Sequence, residues 1–211
     1  MKSFKAIAIL FTIVFSTVYY GCKKDATSDP QPIVPTVVPD NTICDGNLKS
    51  TFYPIDSFTR WTYNYKLAGV TQSSVPFIIS VDSATFGSYK YAMLVDTTSL
   101  LDTTVTYLRQ DTTTFDILNY NVGTSQDYLE VPASPTIGQY WSIPGSLTKK
   151  VTNLSADLHT DHCWYTNLLE ISVFRGNTVI FKYYYKRGFG LVDRIDPINL
   201  KEFAISDVHF R

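Results

Sequence analysis

The sequence is short of the residues from which most catalytic and nucleic-acid sites are built. Its 211 residues hold three histidines, three cysteines, three glutamates and two methionines. Behind Lys23-Lys24 the basic residues gather only as Lys149-Lys150 and Lys186-Arg187. Duplex binding rests on clustered Lys and Arg, so this distribution argues against a nucleic-acid partner. No Gly-x-Ser-x-Gly elbow and no Cys-x-x-Cys pair occurs. Gly188-Phe189-Gly190 lacks the third glycine and the Lys-Ser/Thr of a phosphate loop, so no nucleotide cofactor is expected. The one long apolar run, Ala6–Val18, is shorter than the roughly 20 residues a membrane-spanning helix needs.

What is present is strand chemistry. The chain carries 15 Tyr, 13 Phe and 3 Trp, with abundant Thr and Val, residues that fit a pleated surface better than a helix. Between Phe58 and Tyr65, Trp61, Tyr63 and Tyr65 fall on one face and Thr62 and Asn64 on the other. Further strands are expected over 75–81, 89–95, 104–109, 114–119 and 126–131. A proline-rich bend, 132–144, ends its aromatic part in Tyr140-Trp141, and strands resume over 147–154, 164–174, 179–186, 191–195 and 202–210. Arg175-Gly176-Asn177 reads as a hairpin turn. Even spacing without an amphipathic helix predicts one all-β antiparallel domain over 44–211, either a curved sheet or half-barrel or a β-sandwich.

The front of the chain has a basic start at Lys2 and Lys5, the short apolar run, then Tyr19-Tyr20-Gly21-Cys22. This is the layout of a secretory signal over 1–21. A small residue directly before cysteine resembles the lipobox of bacterial lipoproteins, which implies cleavage at Gly21 and a lipid on Cys22. Tyr19 departs from that pattern, which usually has an aliphatic there, and Cys-Lys-Lys-Asp is similar to the start of many Bacteroidetes lipoproteins. The resemblance implies an exported, membrane-anchored protein of the cell envelope, outer membrane included. Loss of the signal, with two lysines and no acid, moves the formal charge from −1 to −3. Residues 22–43 carry Pro30, Pro32, Pro35 and Pro39 and read as an extended tether. In an oxidising compartment Cys44 and Cys163 invite a disulfide, the alternative being two buried thiols.

Three blocks, Phe52–Tyr65 (FYPIDSFTRWTYNY), Pro135–Trp141 (PTIGQYW) and Tyr184–Val192 (YYKRGFGLV), resemble a group of exported Bacteroidetes proteins of mostly uncharacterised role. The first departs from the pattern at Phe58, where Gly is usual. The resemblance implies a curved antiparallel sheet akin to lipoprotein carriers, or a sandwich, and brings no catalytic residues. Trp61 and Trp141 then close the ends of a core. The sharper reading puts Trp61, Tyr63, Tyr65, Trp141, Tyr183 and Tyr185 around a ligand. Asp82-Ser83-Ala84, Asp96-Thr97-Thr98, Asp102-Thr103-Thr104 and Asp111-Thr112-Thr113 are similar to O-glycosylation sites of exported Bacteroidetes proteins, which makes Ser83, Thr97, Thr103 and Thr112 candidates; Asx turns explain the same pattern. His159, Asp161 and Cys163 share a strand face, but without a second cluster they read as a polar connection and no metal site is expected. The expectation is a non-catalytic binding module for an apolar or glycan ligand or an envelope protein. A structural accessory of an envelope assembly without a small ligand, and behind it a hydrolase with no catalytic residues assigned, are the alternatives; paired carboxylates of the glycosidase kind would have only Glu130, Glu170 and Glu202 beside many turn-like Asp.

Overall fold

The structure, a computed structural model, describes residues 52–55, 59–72, 76–97, 103–161 and 163–209. Cys22, Cys44, His162, the signal and the tether lie outside them. The described residues form thirteen strands: β1 (Arg60–Leu67), β2 (Val70–Thr71), β3 (Phe77–Phe86), β4 (Tyr89–Asp96), β5 (Thr104–Gln110), β6 (Ile117–Asn121) and β7 (Gln126–Val131). The second half holds β8 (Tyr140–Ile143), β9 (Leu147–His159), β10 (Trp164–Arg175), β11 (Thr178–Lys186), β12 (Gly190–Asp196) and β13 (Lys201–His209).

All belong to one antiparallel sheet in the order β7-β6-β5-β4-β3-β1-β13-β12-β11-β10-β9-β8, with β2 pairing β1. The sheet curls until its two edges, β7 and β8, lie side by side, so the fold is a nearly closed barrel and not a sandwich. Most ladders join strands adjacent in sequence, as short turns dictate. The long-range one is β1 with β13, where Trp61 faces Val208, Tyr63 faces Ile205 and Tyr65 faces Phe203.

Alternation in β1 turns Trp61, Tyr63 and Tyr65 into the interior, each nearly or fully buried. An aromatic side chain taken out of water stabilises by roughly 1.5–3 kcal/mol, provided its polar atom keeps a partner. The Trp61 indole N–H donates to the Phe189 carbonyl, and the Tyr63 hydroxyl donates to the Leu191 carbonyl at 3.0 Å. Tyr65 stacks on Phe203 at 4.9 Å. The partners Phe189 and Leu191 flank Gly190, which has φ +94° and would bring a Cβ within 3.2 Å of both Trp61 and Tyr53. Only glycine fits there.

Several features depart from the sequence reading: β2 was not expected, the strand expected over 75–81 runs on to Phe86, and the one expected over 114–119 lies at Ile117–Asn121. Residues 140–143, expected to close a bend, form the edge strand β8 and pair with β9. The strand expected to end at 154 continues to His159. Its connector to β10 reaches β1, where Asp161 and Lys66 pair at 2.9 Å.

Candidate functional site

Inside the barrel lies a hollow of about 220 Å³, lined from β3 to β9 and by β11, β12 and the segment before β1. Its polar wall consists of Asp96, Thr106, Asn119, Glu130, Lys149 and Arg194. Its aromatic wall consists of Tyr53, Tyr128, Tyr183 and Tyr185, and Ile78, Leu94, Leu108, Ile143 and Leu191 complete it. Strand alternation puts these groups together. Tyr128 and Glu130 are two apart on β7, and Tyr183 and Tyr185 are two apart on β11.

Glu130 is the hub. Its carboxylate pairs with the Lys149 ammonium at 2.5 Å and accepts from the Tyr185 hydroxyl at 3.3 Å and the Asn119 amide at 3.5 Å. Lys149 sits 5.6 Å from the centre of the Tyr183 ring, and Arg194 lies 4.4 Å over Phe203. Burial, then the nearby Glu130 and Asp96 carboxylates, hold the Tyr53 phenol far above its usual range. Burial also raises Tyr128 and Tyr185, each with help from Glu130, and pushes Tyr183 up to about 12. These four phenols stay protonated at any physiological pH, so each can donate as well as accept. The wall thus offers hydroxyls, two carboxylates, an ammonium and a guanidinium within one small volume.

Of the six aromatic candidates, Tyr183 and Tyr185 line this hollow. Trp61, Tyr63 and Tyr65 pack in the core, the first two with their polar atoms committed to main-chain carbonyls. Trp141 lies at the β7/β8 edge, its indole N–H donating to the Leu129 carbonyl at 2.7 Å. The sequence reading did not single out Asp96, Asn119, Lys149 or Arg194, nor did it place Glu130 inside. Charged residues in alternating strands look solvated until the curl of the sheet decides which face is enclosed.

The three sequence blocks meet in space. Trp61 of the first bonds Phe189 of the third, Tyr53 packs edge-on against Trp61 at 5.5 Å, and Arg187 lies 4.1 Å over Phe52. Arg187 also donates to the carbonyl of Ala133, just ahead of the second block, at 2.7 Å. On the outside, hollows of about 660 and 290 Å³ both touch Phe52 and Arg187.

The remaining candidates are dispersed. The Thr97 hydroxyl is bonded twice to the main chain of Phe77, at 2.8 and 3.0 Å. Ser83 is half-buried, whereas Thr103 and Thr112 are exposed. Asp111 accepts from the amides of Thr113 and Thr114, both at 2.9 Å, which is the Asx-turn chemistry of its motif. Next to His159, the Thr160 hydroxyl donates to the Cys163 carbonyl at 3.2 Å and accepts from the Cys163 amide at 3.0 Å. Cys163 is fully buried.

No family model matches the chain and no curated protein matches it. Three solved structures bear a loose likeness. A candidate exported protein with a YmcC-like fold from Bacteroides fragilis is 10% identical, with 76% of this chain and 99% of that one covered and a TM-score of 0.43. A candidate outer membrane lipoprotein-sorting protein domain from Vibrio parahaemolyticus is 10% identical, covering 74% and 86%, with a TM-score of 0.24. A DUF1329 family protein from Desulfovibrio piger is 10% identical, covering 74% and 87%, with a TM-score of 0.22. At these scores none of them carries an argument about what this chain does.

Proposed function

We propose that this chain is an exported, lipid-anchored binding module that holds a small polyhydroxylated ligand, such as a glycan end, inside its barrel without chemically altering it. The carrying observation is the polar interior: Asp96, Glu130, Lys149 and Arg194 share a 220 Å³ hollow with four tyrosines. A hydrocarbon chain there would lie against charged and hydroxyl groups with which it can form no hydrogen bond. A sugar supplies paired donors and acceptors for those groups, and its C–H faces stack on tyrosine rings. The volume is below the roughly 300–1,000 Å³ of pockets for drug-sized ligands, which favours a single small unit. A concave polar-aromatic site also speaks for a ligand over a purely structural accessory.

The anchoring belongs to the same proposal. Residues 1–21 are removed, Cys22 carries the lipid, and 22–43 hold the β domain off the membrane. O-glycosylation, where it occurs, is favoured at the exposed Thr103 and Thr112 over Thr97, whose hydroxyl is engaged.

Native mass spectrometry of the full chain before and after extraction, followed by titration with mono- and disaccharides, tests the ligand class. Saturable binding is expected, weakened about 10- to 100-fold by Asp96→Ala, the scale of one hydrogen bond to a charged group. A chain that binds no sugar, or one that Asp96→Ala leaves unaffected, would refute it.

A hydrolase reading has one observation in its favour, because Asp96 and Glu130 are both carboxylates of the hollow. Against it, the Glu130 carboxylate is already bonded to Lys149, Tyr185 and Asn119, partners that a substrate would have to displace before reaching it. Cleaved product in the same sugar titrations would reverse that preference.

A further inference from the structure

The exterior hollow of about 660 Å³ is larger than the interior one of about 220 Å³, and its charge is different. Inside, the Asp96 and Glu130 carboxylates balance Lys149 and Arg194. Outside, Lys186 and Arg187 line the wall, and no Asp or Glu stands among the described lining residues. The Arg187 guanidinium is fixed in place, lying 4.1 Å over Phe52 and donating to the Ala133 carbonyl at 2.7 Å. The Lys186 ammonium lies 5.7 Å from the centre of the Tyr165 ring. Two cations without an acid in the same wall attract an anion.

The remaining polar groups of this wall are hydroxyls and an amide. Between Tyr165 and Leu168 the register of β10 shifts against β9, and Asn167 has φ +57°. Such a bulge lets two consecutive side chains, Thr166 and Asn167, both meet the hollow, where regular alternation would send one away. Ser134 and Thr136, two apart in the bend before β8, add two more hydroxyls. Phe52 and Pro135 supply apolar ring faces. A carboxylate suits the cations, sugar hydroxyls suit the short polar side chains, and the C–H face of a sugar suits the rings. The volume falls within the roughly 300–1,000 Å³ of sites for drug-sized ligands, which leaves room for a disaccharide.

We propose that this exterior hollow is a second binding site, for an acidic sugar whose carboxylate meets Lys186 and Arg187. It is separate from the interior site and selects a ligand of a different charge. Lys186 and Arg187 supply the charge selection, and Thr166, Asn167, Ser134 and Thr136 hold the hydroxyls.

Calorimetric titration of the full chain at low salt, with digalacturonate and with neutral digalactose, provides the test. The acidic disaccharide should bind about tenfold more tightly, and added salt should narrow that gap. Lys186→Gln should weaken digalacturonate about tenfold, the scale of one hydrogen bond to a charged group. Thr166→Tyr fills the hollow while keeping both cations, and it should weaken binding as well. It serves alone should Lys186→Gln fail to fold. Lys90→Gln removes the same charge from an exposed site elsewhere and should leave the affinity within twofold. Equal affinity for the two sugars, or binding of neither, overturns the proposal. So does indifference to Lys186→Gln and Thr166→Tyr, which would put the acidic sugar somewhere other than this hollow. A Glu-Glu dipeptide that competes as well as digalacturonate overturns the sugar class. A chain that binds digalacturonate here and no neutral sugar anywhere would lose the function proposed above and keep this site, so the two fail separately.

Discussion

Asp193 shows how one residue can set the response of the domain to pH. It is fully buried on β12, on the sheet face opposite Arg194, and its carboxylate is poorly served, with no well-formed hydrogen bond and only a weak approach from the Arg194 amide. Burial, then the Glu202 charge on β13, raises its pKa to about 8; the Arg194 amide and the Lys66 and Arg194 charges pull downward too weakly to offset them. Tyr184, its partner on β11, is raised too, chiefly by its own burial. The folded chain therefore keeps a proton that the unfolded chain releases near pH 4. Between those values the folded state binds more protons, so this contribution to stability is complete below pH 4 and is lost as pH rises through about 8. Asp193→Asn mimics the protonated form. It should match the parent near pH 4 and exceed it at pH 9 by about 2–4 kcal/mol, read from urea unfolding at the two pH values. Parallel pH profiles for parent and variant would show that the carboxylate is relieved in some other way.

The turn between β11 and β12 is the element on which the first and third blocks depend. Gly188 and Gly190 both have positive φ, and the Phe189 carbonyl between them receives the Trp61 indole. At Gly190 a methyl group meets both a strained backbone and the rings of Trp61 and Tyr53 at 3.2 Å. At Gly176, in the β10/β11 hairpin, φ is +59° and the space is open. Gly176→Ala should cost about 1 kcal/mol and Gly190→Ala about 2–4 kcal/mol in chemical denaturation. Equal losses would mean that the contact with Trp61 and Tyr53 contributes nothing. Elements of this kind were legible in the sequence, because Arg-Gly-Asn, Gly-Phe-Gly and the alternation of Trp61, Tyr63 and Tyr65 each follow from local sterics and period. Strand β8 was not. Its four residues sit between Pro135 and Pro144, and proline marks turns more strongly than Tyr-Trp-Ser-Ile marks a strand. The hollow was harder still. Tyr128 and Glu130 face in while Asp127 and Leu129 face out, so neither face of β7 is apolar and no alternation marks the inside.

At the scale of the molecule, most ladders join neighbours in sequence, and the barrel is completed by β1 on β13. That closure gathers nearly the whole described chain and costs the most loop entropy. A link between Cys44, ahead of β1, and Cys163, at the start of β10, would tie the two halves of the barrel before it closes. The covalent loop would exceed 100 residues, worth about 4–5 kcal/mol in the chain-entropy model. Cys163 is suited to a fixed bridge, being fully buried in a connector whose main chain is bonded to Thr160. Peptide mapping of the exported chain without reductant should recover a 44–163 cross-linked pair, and reduction should lower the melting temperature by about 10 °C. Complete alkylation of Cys163 in denaturant without reductant would mean the thiol is unpaired. The halves of the barrel would then be held by non-covalent contacts, the β1–β13 pairing, the Trp61 and Tyr63 bonds to the β11/β12 region and the Glu130–Lys149 pair among them.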